Sequence, residues 1–223
     1  MNEIEALWQR HSVRSYKPLP IEAEALQELR SCIAQCNAES GLHLQLLEDA
    51  GGTFHRLMSR AMGLASAPSV IACAGPDGPE LEERIGYWGE RVVLCAQMLG
   101  LNTCWAGTFS AKQTPAVLRE GERLVIVIAV GYGTAQGKPR RSRTPEEVSA
   151  GPAEPPAWFT AGVRYALQAP TAINQQKFFF RLQEDGTVEV SDRGGPFSAV
   201  DIGIVKYHFD LARRETGLPT LWG

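Results

Sequence analysis

Two stretches far apart in this chain of 223 residues align without a gap. IGYWGERVVLCAQMLGLNT (85–103) and IGIVKYHFDLARRETGLPT (202–220) agree at Ile-Gly, at one Leu, and at the Gly-Leu-x-Thr that closes each. Both read as a long helix stopped by a glycine. Self-similarity at one long offset restricts architecture more than any composition does, because it points to two related halves. Shared capping chemistry and chance account for part of the agreement, since any helix that ends at a glycine shows some of it. On the alignment alone, duplication and coincidence both stay open.

The elements between these helices follow from periodicity. Residues 2–9 predict a short amphipathic helix with Ile4, Leu7 and Trp8 on one side, broken by Lys17-Pro18 and Leu19-Pro20. Ala25, Leu26, Leu29, Ile33 and Cys36 fall at helical spacing from Glu22 to about Cys36. Leu42, Leu44 and Leu46 alternate with polar residues, which predicts a strand. A helix is expected over roughly 52–64, and SVIACAG (69–75) predicts a buried strand ended by Gly75-Pro76-Asp77-Gly78. The helix from near Glu80 to Leu99 is apolar on most faces, as a buried central helix must be, and Gly100 caps it. Residues 101–107 lead into a strand, and LVIVIAVGY (124–132) is the strongest strand signal in the chain. After a stretch rich in Gly, Pro, Ser and charge come a helix near 156–168, strands KFFFRLQ and TVEVS around a Glu184-Asp185-Gly186 turn, and a final helix from about 199. The halves are therefore drawn as 1–137 and 156–223, joined by a linker or wrapping loop at 138–155.

Composition removes several classes. Hydrophobic residues make up 44% and charged residues 21%, ordinary values for a folded globular chain. A net charge of -3 and a pI near 5.9 argue against a general nucleic-acid binder. The five Cys form no CxxC pair, and their odd number fits reduced thiols better than a disulfide framework. No signal peptide and no apolar run of membrane-spanning length is visible, so a cytoplasmic location is expected. His43 alternates with leucines, and His55 and His208 lack a Cys or carboxylate at metal-binding spacing, so no metal site is expected. Cys32 and Cys36 read as core or surface thiols.

Two kinds of candidate chemistry remain. Arg10, His11, Ser12 and Arg14 place two guanidiniums around a hydroxyl just after the first helix, which suits a phosphate monoester and equally suits a solvated basic turn. A second cluster, Arg140-Arg141-Ser142-Arg143, could wrap back toward it or remain a solvated loop. In Trp105-Ala106-Gly107 the small residues would let backbone N–H groups approach a flat ligand, or simply make a tight turn. Pro170, Thr171, Asn174 and Gln176 in APTAINQQ bring amides to the lip of an apolar strand, either for the polar edge of a heterocycle or as local caps.

Taken together these segments resemble the FMN-dependent nitroreductases. RHSVRSY is similar to that family's Arg-x-Ser-x-Arg opening, and APTAINQQKF to its Ala-Pro-Ser-x-x-Asn-x-Gln-Pro-Trp segment. LGLNTCWAG resembles Leu-Gly-Leu-x-x-x-Trp-x-Gly, and VGYGTAQGKPRRSRTPEEV the closing Val-Gly-Tyr…Lys/Arg-x-Arg-x-Pro. The resemblance implies an α+β fold: a three-layer α-β-α sandwich with a mainly antiparallel sheet and two pseudo-symmetric halves. It implies FMN, with Arg10, His11, Ser12, Arg14, Arg141 and Arg143 at the phosphate and ribityl end. Ala106 and Gly107 would lie near the ring, with Pro170, Thr171, Asn174 and Gln176 along its edge. NAD(P)H would be a transient reductant and a nitroaromatic or quinone-like small molecule the acceptor, the chemistry being borne by the flavin rather than by a side-chain acid or base. The alternative is a non-catalytic flavin-binding or degenerate scaffold.

The departures carry information too. Ordinary members have the Ala-Pro-Ser-x-x-Asn segment early in the chain, where this one reads AQCNAES (34–40), and Lys177-Phe178 replaces Pro-Trp. The chain therefore resembles the branch in which a dimer is fused into one polypeptide. That implies a monomer that is internally a pseudo-dimer, with further homodimerisation open. One FMN per chain is expected, formed between the two halves, because the mirror-image stretch PAEPPAWFT has no Arg or Lys and carries Glu154, with Glu39 at the other end.

Overall fold

The computed structural model describes residues 1–48, 50, 52–54 and 64–223, with Ala65 by its backbone alone. The helix expected over 52–64, with His55, falls largely outside the described residues. Two compact units emerge: residues 1–81 with 91–139, and residues 82–90 with 140–223.

The first unit opens with α1 (Glu3–Gln9). Asn2 Oδ1 accepts from the Glu5 N–H at 2.8 Å and the Glu5 carboxylate accepts from the Asn2 N–H at 2.9 Å, a capping box that starts this short helix. Leu7 is buried, but Trp8, expected on the same side, is 41% exposed; neighbouring positions on a helix point about 100° apart, and only one of the two can face inward. Helix α2 (Ala23–Ser40) buries Leu29, Ile33 and Cys36 and runs one turn past the expected Cys36, until Gly41 adopts φ 70° and accepts the left-handed stop. Strands β1 (His43–Glu48), β2 (Ser69–Pro76), β3 (Asn102–Ala106) and β4 (Glu122–Gly131) form one antiparallel sheet in the order β1-β2-β4-β3. The two central strands, β2 and β4, are the near-continuous apolar runs, because neither has a face or an edge in water. Val13, Tyr16, Val70, Cys104, Ala106, Val127 and Ala129 pack together in its core.

Helix α3 (Leu81–Met98) contributes residues 82–90 to the second unit and 91–98 to the first. It ends as expected: Gly100 has φ 77°, and the Leu101 N–H bonds back to the Ala96 carbonyl at 2.9 Å.

The second unit holds a three-stranded sheet, β5 (Ser149–Ala150), β6 (Phe178–Leu182) and β7 (Val188–Asp192), in that order, with β5–β6 parallel and β6–β7 antiparallel. A one-turn helix, α4 (Pro145–Val148), precedes β5 inside the stretch that composition marks as a loop. Thr144 and Glu147 form a capping box and proline occupies the first turn, so local chemistry nucleates a helix there. Helices α5 (Ala157–Ala166) and α6 (Ser198–Glu215) pack on each other, with Gly162 against the Phe209 ring. Phe180 stacks on Phe209 at 4.9 Å, and Trp222 meets Phe209 edge-on at 5.6 Å, so the terminal tryptophan is a packing group.

Within this unit α6 crosses the first half of α3 at backbone contact. A Cβ built on Gly86 would lie 2.0 Å from the Val200 carbonyl oxygen, and one on Gly203 would lie 1.9 Å from the Glu83 carbonyl oxygen. Gly86 falls on Gly203 in the gapless alignment, and the same offset carried two residues upstream puts Glu83 on Val200, so the contact is reciprocal. The glycine of the Ile-Gly match is thus a packing requirement in both helices.

Candidate functional site

The candidate residues fall into two groups, one in each unit. In the first unit the chain leaves α1 extended, and Ser12 bridges Thr103 of β3 in parallel, with the Val13 N–H bonded to the Thr103 carbonyl at 3.0 Å. Alternation along an extended segment sends Val13 into the core. Tyr16, also buried, donates to the Val13 carbonyl at 2.6 Å and locks the segment; burial holds its phenol protonated. Arg10 is 7% exposed and Arg14 is exposed. Both guanidiniums act on Cys104 of β3: burial raises that thiol's pKa, and the charges of Arg14 and Arg10 oppose the rise. His11 sits behind, its Nδ1 3.0 Å from the Gln9 carbonyl.

The chain returns to this segment after β4. The Lys17 N–H donates to the Tyr132 carbonyl at 2.8 Å, the Thr134 N–H to the Ser15 carbonyl at 3.0 Å, and Tyr16 bridges Gly133. At Gly137, with φ 81°, a Cβ would lie 2.6 Å from that of His11. Close approach and conformation together explain this glycine. Ala106 and Gly107 lie at the C-terminal end of β3, the strand that Ser12 joins. Arg10, His11, Ser12, Arg14, Ala106 and Gly107 are therefore gathered around one strand. Two guanidiniums and a hydroxyl are the donor set a phosphate monoester needs.

Arg141, Arg143, Pro170, Thr171, Asn174 and Gln176 gather in the second unit. A 3₁₀ turn, Ala172–Asn174, holds Ile173 at φ 47°, ψ 24° and Asn174 at φ 57°, and Gln176 follows at φ 46°. Asn174 Nδ2 donates to the Arg141 carbonyl at 2.9 Å. Gln176 Nε2 donates to the same carbonyl and to Asn174 Oδ1, each at 3.1 Å, while Gln176 Oε1 accepts from the Arg143 N–H at 2.9 Å and from Ser142 Oγ at 3.3 Å. The Gln176 amide thus uses every donor and acceptor it has on its neighbours and fixes the backbone of the basic loop. Asn174, exposed, keeps one amide hydrogen and one lone pair. Thr171 Oγ1 accepts from the Gln176 N–H at 3.0 Å, and Pro170 is buried. Ile173 is 87% exposed.

Two acidic groups that carry this unit have no local sequence signal. Asp201, in the first turn of α6, accepts the Ala172 N–H at 3.0 Å and Gln175 Nε2 at 2.7 Å, so it ties down the turn from behind. Burial raises its carboxyl pKa to about 6, against the hydrogen bonds from Gln175 and Ala172; Asp192 adds to the rise and Arg140 opposes it. Folded Asp201 keeps a proton that an unfolded aspartate, at 3.8, has released. Its contribution to stability is therefore present below 3.8 and is lost as pH rises through about 6. Urea unfolding of the parent across pH 4–7 should lose up to about 3 kcal/mol from this group, and Asp201→Asn should flatten that slope. An unchanged slope in the variant would remove Asp201 as its source.

The other is Glu90 of α3. It is fully buried against His208 of α6, with Oε1 3.0 Å from Nε2, while His208 Nδ1 lies 3.1 Å from the Tyr165 carbonyl. Nearby Asp210 accepts from Tyr87 Oη at 2.9 Å and from the Leu221 and Trp222 N–H groups at 2.7 and 3.2 Å. Burial raises the Asp210 carboxyl pKa in spite of these bonds. Sequence spacing missed Glu90 and Asp210, because their partners are over a hundred residues away or close to residue 223. Among the described residues no cluster of three His, Cys, Asp or Glu is arranged to hold a metal, and no helix is long and apolar enough to cross a membrane.

No curated protein matches the chain. A crystal structure described as a putative nitroreductase from Thermotoga maritima superposes with a TM-score of 0.68 at 20% identity, covering 98% of this chain and 87% of the other. A nitroreductase family protein from Streptococcus pneumoniae gives 0.53 at 13% identity, over 66% of this chain and 98% of the other. A protein from Bacteroides thetaiotaomicron described as a putative NADH dehydrogenase/NAD(P)H nitroreductase gives 0.50 at 16%, over 66% and 95%. At these identities the likeness is one of fold: the mixed α+β arrangement with an antiparallel sheet is the nitroreductase fold. A family model described as "Putative TM nitroreductase" matches residues 2–213, and the chain belongs to that family.

Proposed function

We propose that this chain is an FMN-dependent oxidoreductase that takes reducing equivalents from NAD(P)H and passes them to an electron-poor small molecule of the nitroaromatic or quinone class. The observation that carries the reading is the strained segment at 173–176. Three non-glycine residues sit at positive φ, one of them a β-branched, 87% exposed isoleucine. Backbone of this kind costs about 1–3 kcal/mol per residue and persists at binding sites, where it aims groups that an unstrained turn would not. It occurs in the segment that resembles the family's ring-side motif.

When bound, FMN would supply the hydride-accepting and electron-donating chemistry. Arg10 and Arg14 would neutralise its phosphate, with Ser12 and His11 adding hydrogen bonds. Ala106 and Gly107 would let the ring approach the backbone without side-chain bulk. Asn174 retains one donor and one acceptor for a ring edge, and Gln176 serves indirectly by holding Asn174 and the Arg141–Arg143 backbone in place. The fused-dimer reading is supported by the reciprocal Gly86/Val200 and Gly203/Glu83 contacts. The alternative of a non-catalytic flavin-binding scaffold is favoured by one observation, the full occupation of the Gln176 amide within the protein.

Titration of FMN into the protein, followed by flavin fluorescence, tests the assignment. Each charge-assisted contact is worth roughly 1.5–3 kcal/mol, so Arg10→Ala and Arg14→Ala should each weaken binding about tenfold or more. Arg14 is the cleaner probe because it is exposed and its truncation leaves the core intact. Saturation should come at one FMN per chain; two per chain, or unchanged affinity in both variants, would overturn the reading. Ile173→Asn should relieve left-handed strain and raise stability by about 1 kcal/mol while weakening FMN, since asparagine tolerates that conformation. NAD(P)H oxidation in the presence of menadione or a nitrofuran separates the enzyme from the scaffold.

A further inference from the structure

The outer face of the three-stranded sheet carries opposed cations. Burial alternates along β6: Phe178, Phe180 and Leu182 turn inward, while Phe179 and the exposed Arg181 face out. Phe178 pairs with Asp192, so one step back in the same register Lys177 stands opposite Arg193. The Arg193 N–H donates to the Lys177 carbonyl at 2.9 Å, and both residues are exposed. The Arg193 guanidinium lies over the Phe179 ring at 4.1 Å, and that of Arg181 stands 5.7 Å from the same ring. Acidic residues lie away from this end: Glu184 and Asp185 in the hairpin turn, and Glu189 opposite Arg181 in register. Asp192 belongs to the inward register, and its Oδ1 accepts from the Gly194 N–H at 2.6 Å.

Like charges directly opposite one another on a sheet are destabilising. Among the described residues no carboxylate forms an ion pair with Lys177, Arg181 or Arg193. The opposed pair therefore costs folding free energy unless an anion sits between the two heads. A guanidinium stacked on a ring keeps its edge donors for a phosphate and its outer face for a second ring. A phosphate monoester, with close to two charges and three acceptor oxygens, matches an ammonium set opposite such a fork.

Position in the chain selects the ligand. Lys177 follows the 173–176 turn directly, and three residues of chain reach at most about 11 Å from Asn174. Gln175 Nε2 donates to the Pro196 carbonyl at 3.0 Å, which fastens the segment after Arg193 to the same turn. Resting on the flavin reading of that turn, we propose that the reductant is NADPH and that Lys177 and Arg193 hold its 2′-phosphate. The adenine stacks on the outer face of the Arg193 guanidinium, and Arg181 adds longer-range attraction. NADH lacks this monoester and leaves the two cations opposed.

Calorimetric titration of adenosine 2′,5′-bisphosphate and of 5′-AMP into the whole protein tests the site without turnover. The bisphosphate should bind about tenfold tighter or more, and Lys177→Ala and Arg193→Ala should each cut that advantage about threefold to tenfold. Lys112→Ala, at an exposed cation of the first unit, is the control and should leave it unchanged. Inorganic phosphate or a short single-stranded DNA that displaces the bisphosphate equally well would show a general anion surface and overturn the proposal. In turnover, the ratio of kcat/KM for NADPH to that for NADH should exceed about ten in the parent and fall toward one in Arg193→Ala, through KM. Equal use of both by the parent would also overturn the proposal, whether or not a variant folds. FMN titration separates the two readings. Normal FMN uptake without preference for the bisphosphate overturns the NADPH assignment alone, whereas bisphosphate binding to a protein that takes up no FMN overturns both.

Discussion

Gly203→Ala is expected to destabilise the protein by about 3 kcal/mol, although alanine is the better helix former by about 1 kcal/mol. The added methyl would stand 1.9 Å from the Glu83 carbonyl oxygen and 2.6 Å from the Tyr87 nitrogen. Both obstacles are backbone, so no rotamer change relieves them, and α6 must move away from α3 by more than an ångström. Overpacking costs about 1–3 kcal/mol when side chains can yield, and here they cannot. Separation would also stretch the Tyr87–Asp210 bond and loosen the Glu90–His208 pair across the same two helices. Gly78→Ala is the control, since nothing lies within 4 Å of its added carbon. The urea midpoint should fall sharply for the first and hardly move for the second. A Gly203→Ala midpoint at or above the parent's would show that the helices do not cross at backbone contact.

His208→Leu should cost about 3–5 kcal/mol, because it leaves the Glu90 carboxylate in the interior without its imidazole. Both side chains are fully buried, and both ring nitrogens face oxygen acceptors. The pair is therefore worth little net but is expensive to break on one side. The double variant Glu90→Leu/His208→Leu should recover at least about 2 kcal/mol of the sum of the two single losses, a coupling that chemical denaturation of all four proteins would measure. Additive losses would mean that the two residues stabilise the fold separately.

Strands and long helices were legible because each carries its own period. LVIVIAVGY could be nothing but a central strand, and IGYWGERVVLCAQML, apolar on most faces, had to be a buried helix. What stayed hidden was either too short to show a period or held by distant partners. α4 and β5 occupy six residues in a stretch whose prolines and charges read as loop, although Thr144 and Glu147 already spelled a cap. Helix α2 overran its apolar stripe because Gly41, not hydrophobicity, ends it. Of the candidate site, the residue types were legible, but the bonding of the 141–143 backbone to Asn174 and Gln176, rather than beside Arg10 and Arg14 as expected, was not. Nothing local says that the Gln176 amide is spent on residues 141–143, or that Asp201 anchors Ala172.

The crossing of α3 and α6 bears on how such a chain can change over generations. In an assembly of two identical subunits, one mutation at the crossing glycine would appear on both sides of the axis, and its penalty would count twice. Under the proposed fusion, Gly86 and Gly203 are separate codons. A substitution at either is felt once, and a compensating change can arise in one copy alone. The two copies are then free to drift apart everywhere except at the contact itself, where each still meets the other's backbone. That would leave the pattern seen between residues 85–103 and 202–220: agreement at the glycine that must touch and at the glycine that must stop, and little else between them.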